Sequence, residues 1–158
     1  MFGTAHIIFA VAALAIGALV FLQKKGGENH RILGYLYSAA LLLANLSALL
    51  VYEDSKGPGP FHVLALVSLA TLSAGFVPAL LRSPRNTWML YHAYFMSWSY
   101  VGLVAVGVGQ FATMLALFPG FVAVGLPALV IAVGGGVLIH KQVPRALVDQ
   151  SRRSVKPE

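Results

Sequence analysis

Cysteine and charged side chains are what this sequence lacks most. The complete absence of cysteine excludes disulfides, thiolate metal sites, iron–sulfur clusters and covalently attached c-type haem. Charged residues make up only 10% of the chain and hydrophobic residues 58%, whereas a soluble domain has about 25% charged residues. Because so few charges could not solvate the surface of a soluble protein of this size, we expect the chain to lie mainly in a lipid bilayer.

Carboxylates are absent from the apolar stretches. A proton relay or cation transporter usually needs an acidic residue within the membrane, and a hydrolase with a histidine base needs a buried acid to orient that base. The sequence therefore disfavours pumps, secondary transporters and hydrolases, and it leaves a redox role open. The five acidic residues all lie in polar connections or near the C-terminal end, at Glu28, Glu53, Asp54, Asp149 and Glu158.

Long apolar runs dominate the rest of the chain. A membrane-spanning helix needs about 20 predominantly apolar residues, and five stretches meet this requirement. We predict an all-α, polytopic bundle of five transmembrane helices in residues 1–141, followed by a polar cytoplasmic tail in residues 142–158. Small residues four apart, such as Ala13 and Gly17 or Ala132 and Gly136, favour close helix packing. The predicted helices are about 3–22, 32–52, 61–81, 88–109 and 121–140, and residues 110–118 are compatible with helix, loop or interfacial segment.

The basic residues indicate how the bundle is oriented. Ten of the 11 lysines and arginines lie in the connections 23–31 and 82–86 or after residue 140, and Lys56 alone lies elsewhere. The positive-inside rule then predicts an N-terminus outside and a C-terminus in the cytoplasm. The positive charge is thus a topology signal and a contact for anionic lipid, and we expect no nucleic-acid partner.

The five histidines follow a pattern on this topology. His6 lies near the outer end of the first helix and His62 opens the third, so they form a predicted outer pair. His30 opens the second helix and His92 lies inside the fourth, both from the inner side, so they form a predicted inner pair. His140 closes the fifth helix at the cytoplasmic edge.

Imidazole in these positions is suited to bind a cofactor. Neutral imidazole is an axial ligand of haem iron and a ligand of copper and zinc, and helix bundles build such sites from facing side chains. On the second helix, Gly34 would admit a flat macrocycle close to the backbone, and Tyr37 shares its face with His30. On the fourth helix, the face of His92 also carries candidate secondary residues, at Met96, Ser99 and Tyr100.

A purely structural role is the alternative for each histidine. Histidine at a helix end often lies in the headgroup region, and this applies to His30, His62 and His140 on the predicted boundaries. His92 differs because it lies deeper, and an ionisable residue within the membrane indicates a function. His6 is intermediate between these cases.

Two spaced motifs resemble a known family. Lys25, Gly26 and Gly27, followed by His30-Arg31, Gly34 and Tyr37, resemble a K-G-x-x-H-R-x-x-G-x-x-Y pattern with one extra residue. Trp88, His92, Met96 and Ser99-Tyr100 resemble a W-x3-H-x3-M-x2-S-Y pattern. Both are similar to the bacterial predicted-membrane-protein family catalogued as domain of unknown function 2306, over roughly residues 3–140. The resemblance implies a multi-pass protein of the bacterial inner membrane and implies no activity. The chain departs from the family at Gln110, where an acidic residue is expected nearby.

Three functions are compatible with these residues. The leading interpretation is a protein that binds b-type haem through His6, His30, His62 and His92 and transfers electrons to a redox partner. The second is a non-catalytic accessory or scaffold subunit of a larger membrane complex, which would contact other membrane-protein subunits through its small-residue faces. The third is a copper- or zinc-binding protein, with His6 and His62 as outer ligands and His92 as a further candidate ligand.

Overall fold

A computed structural model describes residues 2–51, 60–115 and 121–155. Every described element of regular secondary structure is an α-helix, and all five helices are long and apolar enough to cross a membrane. The predicted all-α fold with five helices of membrane-spanning length is therefore confirmed. The helices are α1 (Phe2–Leu22), α2 (Glu28–Leu49), α3 (Pro60–Leu81), α4 (Trp88–Met114) and α5 (Phe121–Val155).

Several helix ends differ from the predicted ones. α2 begins before residue 32, so His30 lies in its first turn, and α2 ends at Leu49. α4 continues to Met114, which makes residues 110–114 helical, while residues 116–120 lie outside the described part. The turn before α2 explains its early start, because Gly26 takes a left-handed conformation with φ of 81° and Gly27 occupies the extended N-cap position.

The largest difference is at the end of the chain. α5 runs to Val155, whereas the prediction ended this helix at residue 140 and placed a polar tail after it. The fall in hydropathy marks where the membrane-spanning part ends, and it does not mark the end of the helix. Pro144 lies within α5 and removes the helical hydrogen-bond donor to the carbonyl of His140. Headgroups or water can satisfy that carbonyl at the end of the span.

The chain divides into two compact units, Met1–Leu72 and Ser73–Glu158, so α3 contributes to both. In the first unit α1 packs against α2, with Ala13 and Leu41 almost completely buried. The side-chain amide of Asn45 on α2 donates a hydrogen bond to the hydroxyl of Ser68 on α3 at 2.9 Å. Burial of small residues and polar contacts such as this one thus join the helices of this unit.

Glycines allow close helix packing in the second unit. A Cβ atom at Gly135 of α5 would lie 2.6 Å from the side chain of Val101 on α4, and one at Gly109 would lie 3.1 Å from Val124. These contacts pair α4 and α5 in antiparallel register. Their small residues therefore serve packing inside the protein, as small-residue positions in membrane helices commonly do.

The orientation of the bundle is a prediction that cysteine labelling can check. In this cysteine-free chain, we expect Ser55→Cys to react with a membrane-impermeant thiol reagent on intact cells, because its connection lies on the side poor in Lys and Arg. Ser83→Cys should react only after permeabilisation, since Arg82 and Arg85 flank it. Labelling of the Ser83 variant alone on intact cells would reverse the predicted orientation.

Candidate histidine sites

His6 is held by the backbone of the neighbouring helix. Its Nδ1 lies 2.9 Å from the carbonyl oxygen of Ala44 on α2. A carbonyl can only accept, so Nδ1 carries the proton and Nε2 carries the lone pair of the neutral ring. The hydroxyl of Ser47 donates to the same carbonyl at 2.9 Å, which adds a second side-chain donor at this end of α2.

His62 is buried in the same unit. Only 8% of its surface is exposed, and its Nε2 is a buried atom. Along α3 it precedes Ser68, the partner of Asn45, by about 9 Å of helix rise. His62 therefore lies nearer the α3 N-terminus than the Asn45–Ser68 contact, in a part of the unit where polar groups are buried.

His92 makes a contact in the second unit that parallels the one made by His6. Its Nδ1 lies 3.1 Å from the carbonyl oxygen of Gly75 on α3, so Nδ1–H donates here as well. Gly75 has no side chain, and its backbone is therefore accessible from α4. A Cβ atom at Gly75 would lie 2.8 Å from the backbone nitrogen of Met96, which shows how closely α3 and α4 approach.

Residues of the second motif lie together on one face of α4. His92 and Met96 both contact Gly75, and Ser99 lies nearly one further turn along with 2% of its surface exposed. The hydroxyl of Ser99 donates to the carbonyl of Met96 at 2.8 Å. The predicted secondary residues Met96 and Ser99 thus belong to the buried face that carries His92. Tyr100 is half-buried beside Ser99.

The first motif begins with the turn between α1 and α2. The ammonium of Lys25 donates to the carbonyl oxygens of Val20 at 3.2 Å and Phe21 at 3.5 Å, and it lies 5.1 Å from the centre of the Phe21 ring. Lys25 therefore caps the C-terminal end of α1, where a cation is favoured. Desolvation by burial lowers the pKa of Lys25 below its ordinary value.

The remainder of the first motif lies on α2. His30 is half-buried in the first turn, and its Nδ1 is a buried atom. Open space surrounds the position that a Cβ atom of Gly34 would occupy. Tyr37 is 3% exposed. Along the predicted face of α2, the side chains are therefore partly exposed in the first turn and buried in the middle of the helix.

The two predicted histidine pairs differ in whether their members belong to the same compact unit. His6 and His62 fall in one unit, whereas His30 and His92 fall in different units. Among the described residues, no three His, Asp or Glu side chains converge as a metal-binding group. His140 is exposed on α5.

Sequence reasoning missed the groups that hold the histidines. The acceptors at Ala44 and Gly75 are backbone carbonyls, which leave no residue-type signature in a sequence. Gly75 carried the only usable signal, because a glycine inside an apolar helix often marks a close backbone approach. The Asn45–Ser68 contact is of the kind that polar side chains make between membrane helices, but the sequence does not reveal its pairing.

Five helices of membrane-spanning length, with exposed apolar side chains along most of their surfaces, define a polytopic integral membrane protein. The chain belongs to the family described as Predicted membrane protein (DUF2306), whose model matches residues 3–148. This match contains both histidine motifs and confirms the resemblance. No curated protein and no solved structure matches the chain significantly.

Proposed function

We propose that this protein binds b-type haem through paired histidines and passes electrons across or along the cytoplasmic membrane of a bacterium. The observation that carries the proposal is the backbone hydrogen bond donated by Nδ1–H of both His6 and His92. Such a bond fixes the neutral tautomer and the ring orientation, and it leaves the Nε2 lone pair as the ligating group. These are the properties that an axial imidazole requires.

His6 and His62 are the pair that we assign to one haem. Both lie toward the end of the first unit where α1 and α3 begin, His6 beside Ala44 and His62 in the first turn of α3. The donor set would suit haem, because two imidazoles could hold the iron while the macrocycle supplied its other ligands. A closed zinc site would need four protein ligands, and so it fits this pair less well.

The rest of the unit would exclude water and hold the imidazoles in place. The Asn45–Ser68 contact joins α2 to α3, and the side chains of Leu41 and Ala44 on α2 are buried. When bound, haem supplies a one-electron couple whose potential depends on its axial ligands and its burial. The chain itself would contribute the imidazole ligands and surroundings that exclude water.

His92 is assigned to a second site, which lies within the second unit. His92 has its ring oriented by Gly75. Met96 lies one turn along the same face and provides a thioether, which is also an axial ligand of haem in some cytochromes.

The accessory-subunit alternative rested on small-residue faces as the interface. Ala13 is completely buried and Gly17 is buried within the first unit, and Gly135 packs on Val101 within the second. The face of Ala13 and Gly17 and the face of Gly135 are therefore used inside the protein, whereas Ala132 and Gly136 line an open groove. That use favours the haem interpretation over one in which the same faces bind another subunit.

The haem-to-protein ratio of purified variants tests the proposal. After expression with a haem precursor, wild-type protein should contain haem b, measured as the pyridine haemochrome. His6→Ala and His62→Ala should each lose the haem of the first unit, because packing cannot replace a lost ligand bond. His6→Gln should lose it too, although its amide can still donate to the Ala44 carbonyl.

The matched control for this pair is His140→Ala, which removes an exposed histidine of the second unit and should retain the haem of the first unit. Unchanged haem content in both His6→Ala and His62→Ala would contradict the assignment of this pair. A colourless wild-type protein with stoichiometric copper or zinc would favour the metal site. A colourless, metal-free protein that copurifies with a stoichiometric partner would favour the accessory subunit.

A further inference from the structure

A groove with a cationic end runs along the second unit between α4 and α5. It has a volume of about 670 Å³, with Trp98 of α4 on one side and apolar α5 residues between Ala132 and Val137 on the other. The absence of a side chain at Gly136 lets the Trp98 ring pack close against α5, since a Cβ atom there would lie 3.0 Å from the edge of the ring. Val133 and Val137 expose 60% and 48% of their surfaces, so the groove opens toward the surrounding lipid.

The polar end of the groove is formed by His140 and Lys141. Arg145 follows Lys141 after one helical turn on the same face, and both are exposed. The antiparallel register set by the Val101–Gly135 contact places Lys141 near the level of Tyr94 on α4, in the aromatic turns before Trp98. Lysine and aromatic side chains at this level are typical of the membrane–water interface.

We propose that this groove binds one anionic phospholipid, with an acyl chain against Gly136 and the two valines and the phosphate beside Lys141 and Arg145. The choice of ligand rests on charge complementarity between the cations of the groove and an anionic headgroup. A groove open to the bilayer and lined by aliphatic side chains takes an acyl chain, and two cations at its end select an anionic headgroup. This site is independent of the proposed haem sites, since it uses none of their histidines.

A neutral isoprenoid ligand would fit the apolar part, but it would not use the cations. A second copy of the chain would cover the valines, but it would bring a further Lys141 and Arg145 of like charge toward this end if the copies met in parallel. The anionic lipid is therefore the occupant that uses both parts of the groove.

Tryptophan quenching by brominated lipid tests the proposal directly. The chain has two tryptophans, so Trp88→Phe leaves Trp98 as the only fluorophore beside the groove. This protein is reconstituted in phosphatidylcholine vesicles containing equal fractions of either brominated phosphatidylglycerol or brominated phosphatidylcholine. We expect Trp98 to prefer the anionic quencher by at least about five-fold, since a basic residue near an anionic membrane surface contributes roughly that factor in affinity. Because the two quenchers are compared on one preparation, bound cofactor affects both equally.

Charge variants distinguish specific lipid binding in the groove from general contact with the bilayer. Lys141→Gln combined with Arg145→Gln should reduce the preference to about one, whereas Lys141→Arg should retain it. The matched control is Lys24→Gln combined with Arg31→Gln, which removes two exposed cations from the first unit and should leave the preference unchanged. Equal quenching by both lipids in the Trp88→Phe protein would overturn the proposal, and so would a preference that survives loss of Lys141 and Arg145. Native mass spectrometry that finds a quinone or a second chain in place of phospholipid would overturn it as well.

Discussion

Replacing His92 by alanine should remove one class of bound haem while leaving the protein folded. The hydrogen bond from Nδ1 to the Gly75 carbonyl is of a type that contributes about 0.6–2 kcal/mol in a membrane protein. Its loss alone should therefore lower the unfolding temperature only slightly. Loss of an axial ligand, by contrast, removes the coordinate bond completely, so the visible spectrum should change far more than the stability.

The glutamine variant distinguishes a ligand from a structural hydrogen-bond donor. In His92→Gln the amide can still donate to the carbonyl of Gly75, but it does not replace imidazole as a haem ligand. If His92 is a ligand, both variants should lose the same fraction of the absorbance, and His6→Ala should remove a different fraction. Wild-type absorbance in His92→Gln would mean that His92 serves only to join α4 to α3.

Replacing Gly75 by alanine should cause a large loss of stability for a substitution that adds a single methyl group. The added Cβ would lie 2.8 Å from the backbone nitrogen of Met96 and 2.9 Å from its Cγ. Because a backbone atom cannot rotate away, α3 and α4 must separate. Overpacking of this kind costs about 1–3 kcal/mol, and the same displacement lengthens the hydrogen bond from His92. The measurement is the free energy of unfolding in detergent, titrated with a denaturing detergent.

Gly102→Ala on α4 is the matched control for this prediction. No atom lies within 4 Å of the position that its Cβ would occupy, and alanine favours a helix interior over glycine by about 1 kcal/mol in water. We therefore expect Gly102→Ala to be neutral or slightly stabilising. An equal loss of stability in the two variants would show that close packing at Gly75 is not what holds α3 against α4.

The fold could be predicted almost entirely from composition and apolar length. Backbone hydrogen bonds must be satisfied within each segment in lipid, so five apolar runs of sufficient length imply five helices with little dependence on detail. Helix ends were less predictable because hydropathy reports the membrane boundary. α5 shows this difference most clearly, since it continues through Pro144 to Val155 although the apolar run ends near His140.

The positions of the histidines along the helices were predictable, and their contacts were less so. His92 stood out because it lies within an apolar helix and His6 was intermediate, and both donate to neighbouring helices. Their acceptors at Ala44 and Gly75 are backbone atoms, and any residue type could supply them. The sequence placed His62 at the start of the third helix, but it did not reveal that this side chain is buried to 8% exposure.

The reduced-minus-oxidised absorption spectrum of the purified wild-type protein tests the central claim most directly. The protein should be expressed with a haem precursor, purified in mild detergent, oxidised with ferricyanide and then reduced with dithionite. The haem proposal predicts a Soret band and a sharp α-band on reduction, the signature of low-spin iron with two axial imidazoles, at stoichiometric haem content. A protein that is folded and monodisperse under these conditions, yet shows no chromophore in either state, would contradict the proposal.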